Sequence, residues 1–127
     1  MSQENIVLDT NTLMNYLRGE ILEVDLVGKN EIFISEITEM EIRCQSNLDS
    51  DERKILKGFL STLNIVRLNE EIKEIAIKIR LTTRLKLMDS IIAATAQFTD
   101  LPIATCDEKF ESVKTATVIV LQVVEKR

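Results

Sequence analysis

The sequence has no histidine among its 127 residues. That removes Ser-His and Cys-His nucleophilic mechanisms and His-ligated metals together. Any chemistry has to come from carboxylates, Lys, Arg, Tyr, hydroxyls or a cofactor. Cysteine is scarce as well. Cys44 and Cys106 lie far apart and form neither a C-x-x-C unit nor a zinc spacing. They read as two small buried side chains. Aromatics make up only 4% of the chain, so the core has to be built from Ile, Leu, Val and Ala. No apolar run reaches the ~18 residues needed to span a bilayer. The start, MSQENIVLD, lacks the basic and apolar regions of a signal peptide. These absences lead to the expectation of a cytoplasmic protein with no membrane association. Basic residues are outnumbered, with a net charge of −5. Nonspecific coating of nucleic acid needs many Lys and Arg contacts to phosphate and is disfavoured, although a local basic patch remains compatible.

The length fits one domain covering residues 1–127. No repeat, low-complexity tract or linker interrupts it. Apolar runs predict strands over 5–9, 31–34, 64–68, 102–105 and 116–121. Helical periodicity predicts helices over 12–19, 21–27, 35–46, 50–63, 70–84 and 88–99, with a short helical turn at 109–113. Gly19 reads as the C-cap of the first helix, and Asp51, Glu52, Arg53, Lys54 and Lys57 as a solvated face of the fourth. Short strands alternate with helices, and no hairpin signal such as Asn-Gly appears. The pattern is that of an α/β fold, a mainly parallel sheet with helices on both faces. In such sheets ligands bind outside the carboxyl ends of the strands.

Four acids converge on that rim. Asp9 ends the first strand; its alternative role is to cap the following helix. In ISEITEMEIRCQSNL, residues Ile37, Met40, Cys44 and Leu48 recur as an apolar stripe. Glu41 falls inside this stripe. Glu36, Glu39 and Arg43 lie off it, and Glu39 and Arg43 have the spacing of a surface ion pair. A capping box from Thr38 to Glu41 is the alternative, if the helix starts late. Asp89 shares a helix face with Ile92, Ala93 and Ala96 and so points inward, unless it caps. Asp107 follows the fourth strand as Asp9 follows the first; a turn role is its alternative. Two like charges ~4 Å apart repel by about 4 kcal/mol at an effective dielectric near 20, so a cluster of this kind calls for protons or a cation. An oxygen-only donor set suits Mg²⁺ or Mn²⁺. Such an ion activates water and stabilises charge on a phosphoryl oxygen. Asp9 and Asp107 stand as ligands, with Glu41 and Asp89 binding a second ion or orienting water. Thr10, Asn11 and Thr105 carry donors that fix the carboxylates or hold a phosphate. Arg84 and Lys86 lie just before Asp89 and, with Arg18, are candidates for phosphate contacts. Few aromatics are available for base stacking.

The stretches VLDTNTLMNYLRG, ISEITEMEI, LMDSIIAATA and IATCDEKF, in this order, resemble the PIN-domain ribonucleases, in particular VapC-type toxins. The resemblance spans nearly the whole chain. It implies a three-layer α/β/α sandwich and places the family's acidic quartet on Asp9, Glu41, Asp89 and Asp107, with its polar positions on Asn11 and Thr105. It further implies Mg²⁺ or Mn²⁺ dependence, endonucleolytic cleavage of RNA, a cognate antitoxin and a homodimer. One departure is the run RLKLMD, where many relatives carry Gly or Pro before the third acid. Two other functions compete. A haloacid-dehalogenase-type phosphatase needs a second acid where Asn11 stands, and loses its general acid/base here. A noncatalytic interaction module would keep the fold without the chemistry.

Overall fold

β1 (Glu4–Leu8) lies at the centre of a five-stranded sheet, and its three apolar residues divide between two cores. Successive strand side chains face opposite ways. Ile6 and Leu8 therefore enter one cluster and Val7 the other. The computed structural model describes residues 4–22 and 30–126. After β1 come α1 (Thr10–Leu17), β2 (Glu20–Leu22), β3 (Asn30–Ser35), α2 (Glu36–Arg43) and α3 (Ser50–Leu60). They are followed by β4 (Asn64–Val66), α4 (Glu70–Thr82), α5 (Leu87–Thr99) and β5 (Ile103–Thr105). A 3₁₀ helix (Glu108–Ser112), β6 (Val118–Val120) and β7 (Val123–Lys126) complete the described chain.

The sheet order is β4-β3-β1-β5-β6, and every pairing in it is parallel. From β1 the chain first builds outward through β3 to β4, with α1, α2 and α3 covering one face. Leu13, Ile42 and Leu60 pack there against Ile32, Ile34 and Ala104. It then returns across the sheet to β5 and β6, with α4 and α5 covering the other face. Ile72, Ala76, Ile79, Ile92 and Ala93 pack there with Val7, Ile103 and Phe110. The direction of winding reverses between β1 and β5. A three-layer α/β/α sandwich results, with the open crevice of a doubly wound sheet at this reversal.

Helix starts follow local chemistry. The Ser35 hydroxyl accepts the Ile37 N–H at 3.1 Å, Asp49 and Glu52 form a reciprocal capping box, and Asn69 Oδ1 accepts the Ile72 N–H at 2.8 Å. The start of α2 at Glu36 rules out a capping box from Thr38 to Glu41. At the end of α1, Gly19 takes φ 84°, a left-handed conformation that suits glycine. The loop before Asp89 needs no glycine, because Lys86 enters α5 in extended conformation at φ −62°.

Several expectations fail. The helix predicted for 21–27 is contradicted where it is described, because 20–22 form β2; residues 23–27 lie outside the described residues. β2 pairs antiparallel with β7, which the sequence pattern missed. In α2, Met40 is 57% exposed and Cys44 is exposed, while Thr38 and Ile42 are buried. The stripe of Ile37, Met40, Cys44 and Leu48 is therefore not the inner face. The inner face carries polar groups that meet α1, so spacing of apolar residues alone misplaces it. Neither cysteine is fully buried. Among the described residues Glu39 and Arg43 form no ion pair; Glu36 instead meets Arg67 at 3.8 Å and accepts the Leu68 N–H at 2.6 Å. No described helix is long and apolar enough to cross a membrane.

The left-handed turn at Gly19 gives a first test. Gly19→Ala is expected to lower unfolding stability by about 1–2 kcal/mol, read from the denaturant midpoint.

Candidate active site

Asp9 is only 2% exposed. Its backbone stands at the N-cap of α1, yet its side chain makes no capping bond. The carboxylate accepts instead from the hydroxyls of Thr12 and Thr105. Each of these hydroxyls also accepts a backbone N–H from the exit of β5. Cys106 donates to Thr12 Oγ1 at 2.8 Å, and Asp107 donates to Thr105 Oγ1 at 2.9 Å. Two buried threonines thus tie the ends of β1 and β5 to one carboxylate. This is the point where the sheet reverses its winding.

The other acids approach from helices and from the loop after β5. Glu41 is half-buried on α2, and Thr10 Oγ1 donates to its Oε1 at 2.6 Å, with Thr38 Oγ1 3.0 Å from the same hydroxyl. Asp89 is half-buried in the first turn of α5. Asp107 caps the 3₁₀ helix, its Oδ1 accepting the Lys109 N–H at 2.9 Å. The turn role thus holds for Asp107 and leaves its second oxygen uncommitted by that bond.

Burial raises the Asp9 pKa; the two threonine hydroxyls lower it in part, and the charge of Asp89 raises it further. Burial also raises the Asp89 pKa, followed by the charges of Asp107 and Glu41, with Lys86 and Lys109 opposing. Asp89 therefore feels all three other acids, directly or through its effect on Asp9. Among the described residues, no three acids stand close enough to hold one metal ion by themselves. The donor set nonetheless fits Mg²⁺. This ion keeps several waters and takes only one or two carboxylates directly, and the site offers hard oxygen donors alone.

An open groove of about 580 Å³ is lined by Asn11, Asp89 and Asp107, with Arg84, Lys86 and Lys109 among its other walls. Asn11, Arg84 and Lys86 thus share this groove with Asp89 and Asp107. Arg18 does not; it lines a separate groove with Met14, Leu17 and Leu56. Two residues escaped sequence reasoning. Lys109 sits two residues after Asp107, a spacing that gave no signal. Thr12 stands three residues after Asp9, where the capping rule looks for a backbone donor and not a hydroxyl.

The PIN domain family profile matches residues 6–116. No curated protein matches the chain. Among solved structures, a toxin–antitoxin complex from Klebsiella pneumoniae contains a similar chain, 26% identical at TM-score 0.73, covering 91% of this chain and 96% of that one. FitAcB from Neisseria gonorrhoeae is 25% identical at TM-score 0.72, covering 90% of this chain and 96% of that one. VapBC2 from Rickettsia felis, bound to a promoter DNA fragment, is 19% identical at TM-score 0.76, covering 93% and 99%.

The raised pKa values give a prediction with a definite sign. An acid whose folded pKa exceeds its ordinary 3.8 binds protons more tightly when folded. Its stabilising contribution is full below about 3.8 and is lost as pH rises through the folded pKa. At neutral pH and without divalent metal, Asp89→Asn is therefore expected to raise the melting temperature. The gain should vanish at pH 3, as thermal melts at the two pH values will read.

Proposed function

The chain belongs to the PIN-domain family, and from that membership we propose that it is a metal-dependent endoribonuclease, the VapC-type toxin of a toxin–antitoxin pair. The observation that carries the reading is the gathering of Asp9, Glu41, Asp89 and Asp107 from four separate elements beside the β1–β5 reversal. The similar chains in toxin–antitoxin complexes support the toxin role and a cognate antitoxin as partner.

In this reading Asp9 and Asp107 hold Mg²⁺ or Mn²⁺, and Glu41 and Asp89 hold a second ion or orient the attacking water. A bound ion supplies Lewis-acid polarisation of a phosphoryl oxygen and makes water a better nucleophile. The chain's own residues do the rest. Thr10 fixes the Glu41 carboxylate, and Thr105 fixes Asp9. Asn11 offers an amide donor in the groove wall. Arg84, Lys86 and Lys109 neutralise phosphates of an RNA strand laid along the groove, a local basic rim on an acidic protein. Water oxygen attacks phosphorus and gives up a proton, the bond from phosphorus to one ribose oxygen breaks, and that oxygen takes a proton to leave as a hydroxyl. For the homodimer we assign the outer face of α4, where Leu81 is 80% and Ile77 48% exposed beside an apolar groove.

The purified protein is expected to cleave RNA only when Mg²⁺ or Mn²⁺ is supplied. Asp9→Asn should reduce cleavage about 100-fold or more, since even partners one step removed from a metal cost 10–100-fold. Lys109→Ala should raise KM and leave kcat nearly unchanged. Phosphate release from a small phosphoester without RNA cleavage would favour the phosphatase. Absence of both activities, with antitoxin affinity unmoved by Asp9→Asn, would leave only the interaction module. For the dimer, Leu81→Asp should shift the sedimentation coefficient to that of a monomer.

A further inference from the structure

We propose that Thr12 is a positioning residue that sets the Asp9 carboxylate for its cation. The inference rests on the metal reading given above. Thr12 is fully buried at 0% exposure and sits in the first turn of α1. A threonine hydroxyl carries one proton and two acceptor lone pairs. The Cys106 N–H, 2.8 Å away, occupies the acceptor side. The remaining proton is donated to Asp9 Oδ1. The bond is therefore directional at both ends, from β5 through α1 to the end of β1.

The arrangement departs from ordinary capping. At an N-cap, an Asp side chain usually accepts the backbone N–H two or three residues on. Here the third residue answers with its hydroxyl, and Asp9 makes no capping bond. The helix start loses that stabilisation. What is gained is a buried carboxylate held by two hydroxyls, one from α1 and one from β5, each anchored to a backbone N–H next in line. Partners that orient a ligand in this way before an ion arrives raise its affinity. Thr12 also links Asp9 to the segment carrying Asp107, so the two proposed ligands are positioned by one network.

The test uses the full chain and Mn²⁺ alone, followed by the metal-dependent rise in melting temperature. Thr12→Val keeps the shape and removes both bonds; Thr12→Ser keeps them. Thr12→Val is expected to weaken the Mn²⁺ midpoint about 10-fold, with Thr12→Ser close to wild type. If Thr12→Val lacks a cooperative melt, Thr12→Cys, a weak donor, is read in its place. A variant that melts lower without metal yet keeps the wild-type Mn²⁺ midpoint would reduce Thr12 to a packing role and overturn the inference. A wild-type protein whose melting is indifferent to Mn²⁺ would overturn the metal reading itself, and the two failures are distinguished by which protein shows them.

Discussion

A carboxylate withdrawn from water at the end of the central strand governs the upper rim of this molecule. Asp9 cannot gain hydration, because it is almost fully covered, and no Lys or Arg pairs with it among the described residues. Burying a charge is costly unless it is paired or hydrogen-bonded. Hydroxyls from Thr12 and Thr105 offset part of that cost, and the charge of Asp89 adds to it. The site therefore carries an electrostatic cost that the apolar cores do not. A stability optimum would place apolar or neutral groups there. Keeping an ionisable group at such a place is how functional sites commonly differ from the frame around them.

The frame explains why the acids meet. Parallel strands all end on one side, and the reversal of winding between β1 and β5 opens a crevice at their carboxyl ends. α1 starts immediately after Asp9, and α5 delivers Asp89 from the opposite face of the sheet. α2, on the same face as α1, brings Glu41 within reach of Thr10. Four positions scattered over about a hundred residues of chain thus become neighbours through topology alone.

Most of this architecture can be read from the chain. Alternating apolar runs and helical periods give the parallel sheet and its layers, because burial on two faces leaves a strong imprint on sequence. The acids after β1 and β5 follow from the strand rule. The failures have physical causes. Glu41 was inferred from an apolar stripe that Met40 and Cys44 do not form. Its inward direction comes from a hydrogen bond between two helices, which leaves no periodic trace. Thr12 was invisible for a related reason: a buried hydroxyl between two partners looks, in sequence, like any threonine early in a helix. The β2–β7 ladder joins segments about a hundred residues apart, a pairing that local periodicity does not encode.

The sheet's borders carry a last implication. β4 and β6, its outermost members, are three residues each. A border that short presents few unsatisfied main-chain groups to a stranger. Strand-to-strand polymerisation between copies is thereby starved of a template. Along this sheet, contact between copies falls to side chains, where surface composition and not generic amide pairing selects the companion.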